Sequence, residues 1–428
     1  MMISEPKELF VWIWLPGQVD PVVAGRVAER DGIIYFNYGR SYLARADAIP
    51  VFNLDLPLES GVIDPPSGHG LAPSLRDALP DRWGRRVIIH DLLGQRREAI
   101  NEDSFGEMTF MLHSGSDRIG ALDFQASATH FVPREGDNAS LQDLLEFADR
   151  IAAGEPVPPA LDRTILHGSS IGGARPKALL NDVTDGRARK MIAKFSASND
   201  VFAMVKGEFA AMKLAQAAGL NAAPVEIAQV LDRDVLLVER FDRVSAGEGS
   251  WKRRAMVSAL TWTQEHEMSA HHISYQMLAQ LIRRDFSDPS RDLVELFSRM
   301  TFNILVGNTD DHARNHAAFW DGKALSLTPV YDVAPQTRGG ERANQAMIIA
   351  DNARSSQLLL ALKAAPAFLL APQEARRIID AQVATILAHW RDICDAAGMT
   401  ELERRFFEGR QFLNPYAFEG YGPVPAFG

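Results

Sequence analysis

Hydrophobic and polar residues alternate in the first part of the chain in the manner of short β-strands. Residues 8 to 58 contain the runs "ELFVWIWLPGQ", "GRVAERDGIIYFNYG" and "VFNLDLPLE", which are punctuated by Pro-Gly, Asp-Gly and Tyr-Gly pairs typical of hairpin turns. From "SLRDALPDRWGRRVIIHDLLG" onward apolar residues recur at helical spacing, and a second helix is predicted over 140–153. The stretch 154–162 predicts a linker.

The middle of the chain predicts a second set of strands, and the remainder predicts helices. "PKALLND" and "RKMIAKFS" are strand-like and joined by a turn, and "VEIAQVLDRDVLLVERFDR" predicts a hairpin. Between them "KGEFAAMKLAQAAG" predicts a helix that ends at Gly219. From about residue 270 onward nearly everything is predicted helical except "ALSLTPVYDVAPQTRGG", and the Pro- and Gly-rich tail from residue 414 is predicted to be loose. This order predicts a two-lobed nucleotide-binding enzyme.

Bulk properties narrow the class of protein. A chain of 428 residues predicts two or three domains, and 46% hydrophobic with 23% charged residues is typical of a soluble globular protein. No apolar run approaches the roughly 20 residues that span a bilayer, and the N-terminus lacks the basic region of a secretory leader. The single cysteine, Cys394, favours a reducing, cytoplasmic setting. A net charge of −10 argues against nucleic-acid binding by the whole chain but leaves a basic partner open.

The loop "GNTDDHARNH" (residues 307–316) carries the strongest chemical signal, because it places charged groups directly after an apolar helical run. In protein kinases an aspartate that accepts the substrate hydroxyl proton lies five residues before a magnesium-binding asparagine. Counted back from Asn315, that spacing selects Asp310 and not Asp311. A second metal-binding carboxylate is expected after it, and "LTPVYDVAP" supplies Asp332. His312 is interpreted as a residue that positions the loop.

The other parts of a kinase nucleotide site precede this loop in the expected order. "HGSSIGGARPKALL" offers Gly172 and Gly173 between strands, where backbone N–H groups can approach phosphates. "KMIAKFS" offers Lys194 on an apolar strand, and "DVLLVERFDR" predicts the strand that leads to an adenine-binding hinge. Taken singly, each of these residues is more often a turn, a helix cap or a strand-edge lysine. Their joint order favours the functional interpretation.

Three other chemistries fit the residues less well. The chain has no G-x-x-x-x-G-K-[ST] motif, which argues against a P-loop NTPase. His266 and His271 in "HEMSAHH" lack the spacing of an H-E-x-x-H zinc site. "GSSIG" resembles a nucleophile elbow centred on Ser170, but a strand follows it where a hydrolase needs a helix.

At this point the motifs resemble those of the HipA family of bacterial toxin kinases. "FNYGRSYL", "FNLDLPL", "ALPDRWGRR" and "DRIGALDF" are similar to its N-terminal subdomain, and "SSIGGARPKALL", "MIAKF", "LLVERFDR", "NTDDHARNH" and "PVYDVAP" to its kinase core. The resemblance implies an α+β, two-lobed fold with a mixed β/α N-terminal lobe and an all-helical C-terminal lobe. The expected divisions are an N-terminal subdomain at 1–155, a nucleotide-binding part at 156–243 and a helical lobe at 244–428.

The resemblance also assigns roles to residues by position. Asp310 is expected to be catalytic, Asn315 and Asp332 to bind Mg²⁺, and Ser170, with Ser169 beside it, to accept a phosphate from the kinase itself. The expected ATP-binding residues are Gly172, Gly173, Ala174, Arg175, Pro176, Lys177, Lys194, Glu239, Arg240, Phe241, His312, Ala313, Arg314, Asn315, Tyr331 and Asp332.

The function implied is that of an ATP- and magnesium-dependent Ser/Thr protein kinase, the toxin of a toxin–antitoxin module. An aminoacyl-tRNA synthetase is the implied substrate, and a small helix-turn-helix antitoxin is the implied partner that links the kinase to DNA; no membrane partner is expected. Two alternatives stay open at this point. One is a non-catalytic pseudokinase that acts as a co-repressor through an antitoxin, and the other is a small-molecule kinase that uses the same aspartate pair.

Overall fold

The protein is α+β, as the sequence predicts, and its chain forms two compact units. The computed structural model describes residues 6–93, 105–136, 139–158, 161, 168–170, 175–184, 186–196, 202–247, 249–340 and 342–427. The first unit comprises Met1–Ala197, Gln229–Val257 and Trp320–Lys323, and the second comprises Ser198–Ala228, Ser258–Phe319 and Ala324–Gly428. The predicted three-part division of the chain stays a prediction. Among the described helices, none has both the length and the apolarity needed to cross a bilayer.

The first unit begins with an antiparallel sheet whose strand order is β3-β2-β1-β4. Its strands are β1 (Glu8–Ile13), β2 (Val22–Arg30), β3 (Ile33–Tyr38) and β4 (Leu122–Gln125). The alternation along β1 places Leu9 and Val11 in the main apolar core of the unit. On the other face Trp12 and Trp14 pack against Phe131 with ring centroids about 5.5 Å apart. Both faces of β1 are therefore covered, which explains why this strand is apolar almost throughout.

The helices of the first unit are short. They are α1 (Arg40–Leu43), α2 (Pro73–Arg76), α3 (Arg82–Leu93), α4 (Glu107–His113) and α5 (Leu141–Ala153). The predicted helix at 140–153 is confirmed as α5, which starts with a capping box between Ser140 and Asp143 and ends at Gly154 in the left-handed conformation. The helical stretch predicted from Ser74 is confirmed as two helices, α2 and α3. Pro80 separates them, because proline lacks the N–H donor and its ring disfavours a helical conformation in the preceding residue.

The strand predicted at "VFNLDLPLE" is also wrong. The Phe52 carbonyl accepts a bond from the Leu56 N–H at 2.8 Å, which closes a turn instead of extending a ladder. The Tyr38 hydroxyl accepts from the Val51 N–H at 2.8 Å and donates to the Leu56 carbonyl at 2.7 Å. A side chain therefore satisfies the backbone groups that a partner strand would otherwise have paired.

A second sheet in the first unit contains the strands predicted around the Gly-rich segment. The predicted strands are confirmed as β5 (Lys177–Thr184), β6 (Arg187–Phe195), β7 (Val225–Val230) and β8 (Arg233–Glu239). β6 pairs antiparallel with β5 on one side and with β8 on the other. Within β7 the chain passes from the second unit back into the first. β9 (Arg243–Gly247) and β10 (Ser250–Arg253) form a hairpin, and β11 (Met256–Ser258) follows.

The second unit is mainly helical. Its helices are α6 (Met204–Ala217), α7 (Ala259–Trp262), α8 (Tyr275–Asp285), α9 (Pro289–Leu305), α10 (Leu358–Ala364), α11 (Pro372–Ala396) and α12 (Glu401–Phe407). α9 starts at the N-cap Asp288 with Pro289 in its first turn and buries most of its side chains. The Thr301 hydroxyl of α9 donates to the Gln382 amide oxygen of α11 at 2.8 Å, and both residues are buried. The strands β12 (Ala317–Trp320) and β13 (Leu325–Leu327) interrupt the helices.

The tail was predicted to be loose, and this is wrong for most of it. A 3₁₀ turn spans Pro415–Phe418, and Tyr416, Phe418 and Tyr421 are buried. The Tyr421 hydroxyl donates to an Asp380 carboxylate oxygen of α11 at 2.6 Å. Proline and glycine prevent a regular element here, but the aromatic side chains between them anchor the segment to the helices.

Candidate active site

The loop that follows α9 is held in place by backbone bonds to later parts of the second unit. Gly307 has a φ of +69°, a conformation that favours glycine, and its carbonyl accepts from the Gln336 N–H at 3.0 Å. The Thr309 carbonyl accepts from the Ala346 N–H at 3.0 Å. These two backbone bonds therefore fix the loop on both sides of the turn that immediately precedes Asp310.

The two neighbouring aspartates of this loop have different surroundings. Asp311 is 2% exposed, and one of its carboxylate oxygens accepts a short hydrogen bond from the Tyr275 hydroxyl. His316 Nε2 lies 3.0 Å from the same oxygen. Asp310 is exposed. Asp311 is thus committed to holding the loop, whereas the carboxylate of Asp310 lies where a substrate can reach it.

Asn315 and Asp332 are brought together by this fold. Ala313–Asn315 forms one 3₁₀ turn, and the Asn315 amide N–H donates to an Asp332 carboxylate oxygen at 2.8 Å. The amide oxygen of Asn315 accepts from the His312 N–H at 3.3 Å. Asp332 has a φ of +60°, which is uncommon for a residue with a side chain and occurs where the surrounding structure imposes it. The exposed carboxylate of Asp332 is therefore oriented by its own strained backbone.

The pKa of Asp310 is raised above its ordinary value. Burial of part of the carboxyl is the largest cause, and the carboxylates of Asp332 and Asp311 act in the same direction, whereas His312 opposes them. A carboxylate with a raised pKa is a stronger proton acceptor than an ordinary aspartate.

The remaining predicted residues of the loop lie around these groups. Arg314 is exposed and forms an ion pair with Glu267, and its carbonyl accepts from the Tyr331 hydroxyl at 2.6 Å. Ala313 is buried and His312 is half-buried. The arrangement fixes the backbone of the segment between Asp310 and Asn315.

In the first unit, the two predicted phosphate-binding lysines lie directly opposite each other. Lys177 of β5 is the cross-strand partner of Lys194 in β6, so both side chains leave the same face of the sheet. The Trp83 indole N–H donates to the Lys177 carbonyl at 2.9 Å and fixes the start of β5. The sheet therefore places the two lysines next to each other on one face.

The segment before these lysines is described only in part. Gly172, Gly173 and Ala174 lie outside the described residues. Arg175 and Pro176 are half-buried, and the Pro176 carbonyl accepts from the Phe195 N–H at 3.2 Å.

The predicted hinge residues differ in what they can offer a nucleotide. Glu239 is paired with Arg187 at 2.6 Å, and Phe241 is half-buried. The Arg240 guanidinium is 4% exposed and bonds to Asp117 and Asp242 inside the unit. The Arg240 N–H donates to the Lys190 carbonyl at 2.8 Å. If Arg240 contacts ATP as expected, it does so through its backbone carbonyl, because its guanidinium is bonded to Asp117 and Asp242.

Asp117 is the centre of a buried network of charges that the sequence did not reveal. Its carboxylate contacts Lys190 at 2.8 Å, Arg240 at 2.9 Å and Arg243 at 3.0 Å. Burial alone would raise the pKa of Asp117, but these three cations together with Arg253 hold it well below its usual range. No sequence spacing predicts this network, because its members come from three separate segments of the chain.

The two candidate phosphate acceptors lie beside this network. Ser169 and Ser170 are 0% and 3% exposed. The Ser169 hydroxyl accepts from the Gly115 N–H at 2.9 Å, and the Ser170 hydroxyl donates to the Asp117 carbonyl at 3.4 Å. Both serines are therefore enclosed by the first unit.

Comparison with known proteins assigns this chain to a family. A model of the HipA-like C-terminal domain matches residues 169–390, and a model of the HipA N-terminal domain matches residues 15–125. The "Putative kinase Y4mE" of Sinorhizobium fredii is 26% identical over 347 residues, which cover 75% of this chain and 76% of that protein. The "Serine/threonine-protein kinase toxin HipA" of Shewanella oneidensis is 28% identical over 146 residues, 30% of this chain and 34% of that protein.

A solved structure shares the fold over almost the whole length. The structure of the Shewanella oneidensis toxin–antitoxin complex of HipA, HipB and operator DNA contains a chain that matches with a TM-score of 0.68 and 18% identity, covering 93% of both chains. This likeness shows that the chain has a HipA-like fold. The chain belongs to the HipA family.

Proposed function

We propose that this protein transfers the γ-phosphoryl group of ATP to serine or threonine hydroxyls of a protein substrate. The observation that carries the proposal is the contact between Asn315 and Asp332 beside an exposed Asp310 with a raised pKa. Asp310 accepts the proton of the attacking hydroxyl, whose oxygen bonds to the γ-phosphorus while the bond to the leaving ADP oxygen breaks. Lys177 and Lys194 neutralise phosphate charge. Catalysis then rests mainly on positioning and electrostatic stabilisation.

Asn315 and Asp332 fit a magnesium ion by the chemistry of their oxygens. Among the residues that the structure describes, no group of three or more His, Cys, Asp or Glu is placed to hold a metal. Mg²⁺ commonly binds through one or two carboxylates together with substrate phosphates and water, so this pair is sufficient on the protein side. When bound, the ion neutralises charge that develops on the phosphate oxygens.

A transfer assay with one substitution tests the proposal. Purified protein is incubated with labelled ATP and magnesium, and phosphate incorporation is compared between the natural chain, Asp310→Asn and the control Asp392→Asn on the exposed face of α11. We expect Asp310→Asn to lower transfer at least about a hundredfold, the usual contribution of a general base, and Asp392→Asn to leave it unchanged. Absence of transfer by the natural chain, with ATP binding retained, would favour a pseudokinase that acts as a co-repressor.

The toxin role and its partners belong to the same proposal. We expect the substrate to be an aminoacyl-tRNA synthetase or a similar translation protein, and a small helix-turn-helix antitoxin to bind the kinase and carry it to DNA. The proposal is supported by membership of the HipA family and by the likeness to a HipA chain solved with HipB and operator DNA. Growth arrest on expression of the natural chain but not of Asp310→Asn, relieved by co-expression of a helix-turn-helix protein encoded beside it, is the expected result. Unimpaired growth with active kinase would contradict the toxin role.

We further propose that Ser170 is the self-phosphorylation site, with Ser169 as a second acceptor. Because both serines are buried, the modified segment must leave its contacts with Gly115 and Asp117. A phosphate adds nearly two negative charges beside the ATP-binding segment, so Ser170→Asp should bind ATP less tightly and Ser170→Ala should remain active for longer. Mass spectrometry after incubation with ATP, with Asp310→Asn as the control, checks the site. Phosphate found only on residues distant from this segment would contradict self-inhibition.

A further inference from the structure

A large cleft in the second unit lies outside the candidate active site. Its volume is about 930 Å³, near the upper end of the roughly 300–1,000 Å³ typical of ligand pockets. Its walls come from the segment after Asp332 and from the end of α12 with the tail that follows it. The lining residues used below are Arg338, Gly340, Phe406, Arg410, Gln411 and Phe418.

The cleft combines positive charge with aromatic walls. Arg338 is half-buried, and burial lowers the pKa of its guanidinium, with Tyr416 acting in the opposite direction. Arg410 is exposed and its guanidinium lies 5.4 Å from the centre of the Phe406 ring. Glu419 also lines the cleft, and its carboxylate accepts from the Gln357 amide at 3.0 Å, so among the described lining residues the two arginines exceed the one carboxylate in charge. A ligand with both an acidic group and an apolar side chain therefore complements this surface.

Gln411 brings an unsatisfied acceptor to the wall of the cleft. It lines the cleft, is 2% exposed, and its amide oxygen accepts no hydrogen bond from any residue that the structure describes. A buried acceptor without a donor costs about 1–3 kcal/mol. A peptide supplies N–H donors together with its carboxylates.

We propose that this cleft binds an acidic peptide segment of a protein partner. Arg338 and Arg410 pair with its carboxylates, the rings of Phe406 and Phe418 cover an apolar side chain next to them, and the Gln411 oxygen accepts a peptide N–H. Charge-assisted bonds to arginine supply the specificity for acidic residues. The inference is independent of phosphoryl transfer, because it concerns binding at a site that includes none of the proposed catalytic groups.

The cleft lies next to the loop that carries Asp310, so a peptide bound in the cleft affects that loop. A Cβ atom on Gly307 would lie 2.6 Å from the Gln411 carbonyl oxygen, and the Leu413 N–H donates to the Leu305 carbonyl at 2.7 Å. The wall of the cleft therefore packs directly against the chain just before the loop. A peptide held there lies beside a segment on which the geometry of Asp310 depends.

Fluorescence anisotropy with the full chain tests the proposal. The probe is a short labelled peptide in which two glutamates flank a Leu-Phe pair, and the control peptide carries glutamine in place of both glutamates. Arg338→Gln and Arg410→Gln should each weaken binding about tenfold, the loss expected for one charge-assisted bond. Gly340→Phe should abolish binding without disturbing the fold, because a Cβ atom at Gly340 meets nothing within 4 Å. Arg377→Gln, an exposed arginine on α11, is the matched control and should bind normally.

Three results would overturn the proposal. The first is no saturable binding of the acidic probe to the natural chain, and the second is equal affinity for the glutamine peptide. The third is displacement of the probe by inorganic phosphate at concentrations similar to its own, which would define a general anion site. Circular dichroism of each variant verifies folding, and Arg410→Gln, at an exposed position, keeps the test decisive if Arg338→Gln does not fold.

Discussion

At the scale of single residues, the neighbours Asp310 and Asp311 illustrate how burial separates two identical side chains. Asp311 accepts from the Tyr275 hydroxyl and lies 3.0 Å from His316, whereas Asp310 is exposed. We expect Asp311→Asn to lower the free energy of unfolding by about 1–3 kcal/mol, because it weakens two buried bonds to a charged group. Asp310→Asn should leave that free energy nearly unchanged. Thermal unfolding checks both, and Tyr275→Phe should show a smaller loss than Asp311→Asn. Equal destabilisation by the two Asn variants would contradict the division of roles.

This part of the site shows what the sequence could and could not predict. The five-residue spacing to Asn315 selected Asp310, and the fold brings the Asn315 amide nitrogen within 2.8 Å of an Asp332 carboxylate oxygen. The assignment of roles to these residues stays a prediction. The anchoring of Asp311 by Tyr275 could not be predicted, because the partners lie in separate helical and loop segments and no local motif joins them.

Asp55 provides a second prediction at this scale, for stability against pH. Its carboxyl is 4% exposed and accepts from the Ser74 N–H at 2.7 Å, and burial raises its pKa to about 7. Between the ordinary pKa of 3.8 and about 7 the folded chain holds a proton that the unfolded chain releases, so this group lowers stability as pH rises.

Asp55→Asn should therefore stabilise the protein, by on the order of a few kcal/mol at about pH 8 and by less at about pH 5. The amide oxygen still accepts from Ser74, and no charge needs to be buried. Urea unfolding at the two pH values measures the difference, with the exposed Asp64→Asn as control. A gain that is equal at both pH values would show that Asp55 is ionised in the folded protein throughout.

At the scale of elements, local patterns predicted regular structure well and irregular structure poorly. Alternation predicted β1 to β3 and the strands around the lysines, and helical spacing predicted α5 and α6. One error falls where a side chain replaces backbone partners, as the Tyr38 hydroxyl does for Val51 and Leu56. β12 escaped prediction because a four-residue apolar run has no period that separates strand from helix.

The turn that ends α9 carries a prediction of its own. Gly307 has a φ of +69°, and a Cβ atom there would lie 2.6 Å from the backbone oxygen of Gln411. Gly219 has a φ of +82° but nothing within 4 Å of such an atom, so it shares the backbone strain without the collision. Gly219→Ala should cost about 1–2 kcal/mol, and Gly307→Ala clearly more, as measured by thermal unfolding. Equal losses would show that the segment around Gln411 moves away from the added methyl group without any loss of stability.

At the scale of the whole molecule, charges in the first unit join parts of the chain that the sequence analysis assigned to different domains. Asp117 follows α4, Lys190 lies on β6, and Arg240 and Arg243 follow β8. These residues stand on both sides of the predicted division at residue 155, and the matched N-terminal and C-terminal family regions meet within the same compact unit. A network of this kind makes the stability of one sheet depend on the other.

Asp117→Asn should therefore destabilise the first unit as a whole. Removing the central carboxylate leaves Lys190, Arg240 and Arg243 buried with too little compensating charge, and breaking such a buried network costs about 3–5 kcal/mol. Hydrogen exchange read by mass spectrometry should show faster exchange in both β4 and β6, because the network connects their surroundings, while α9 and α11 in the second unit keep their protection. The exposed Asp20→Asn controls for loss of a charge. Faster exchange confined to the few residues around Asp117 would show that the two sheets of the first unit are stabilised independently.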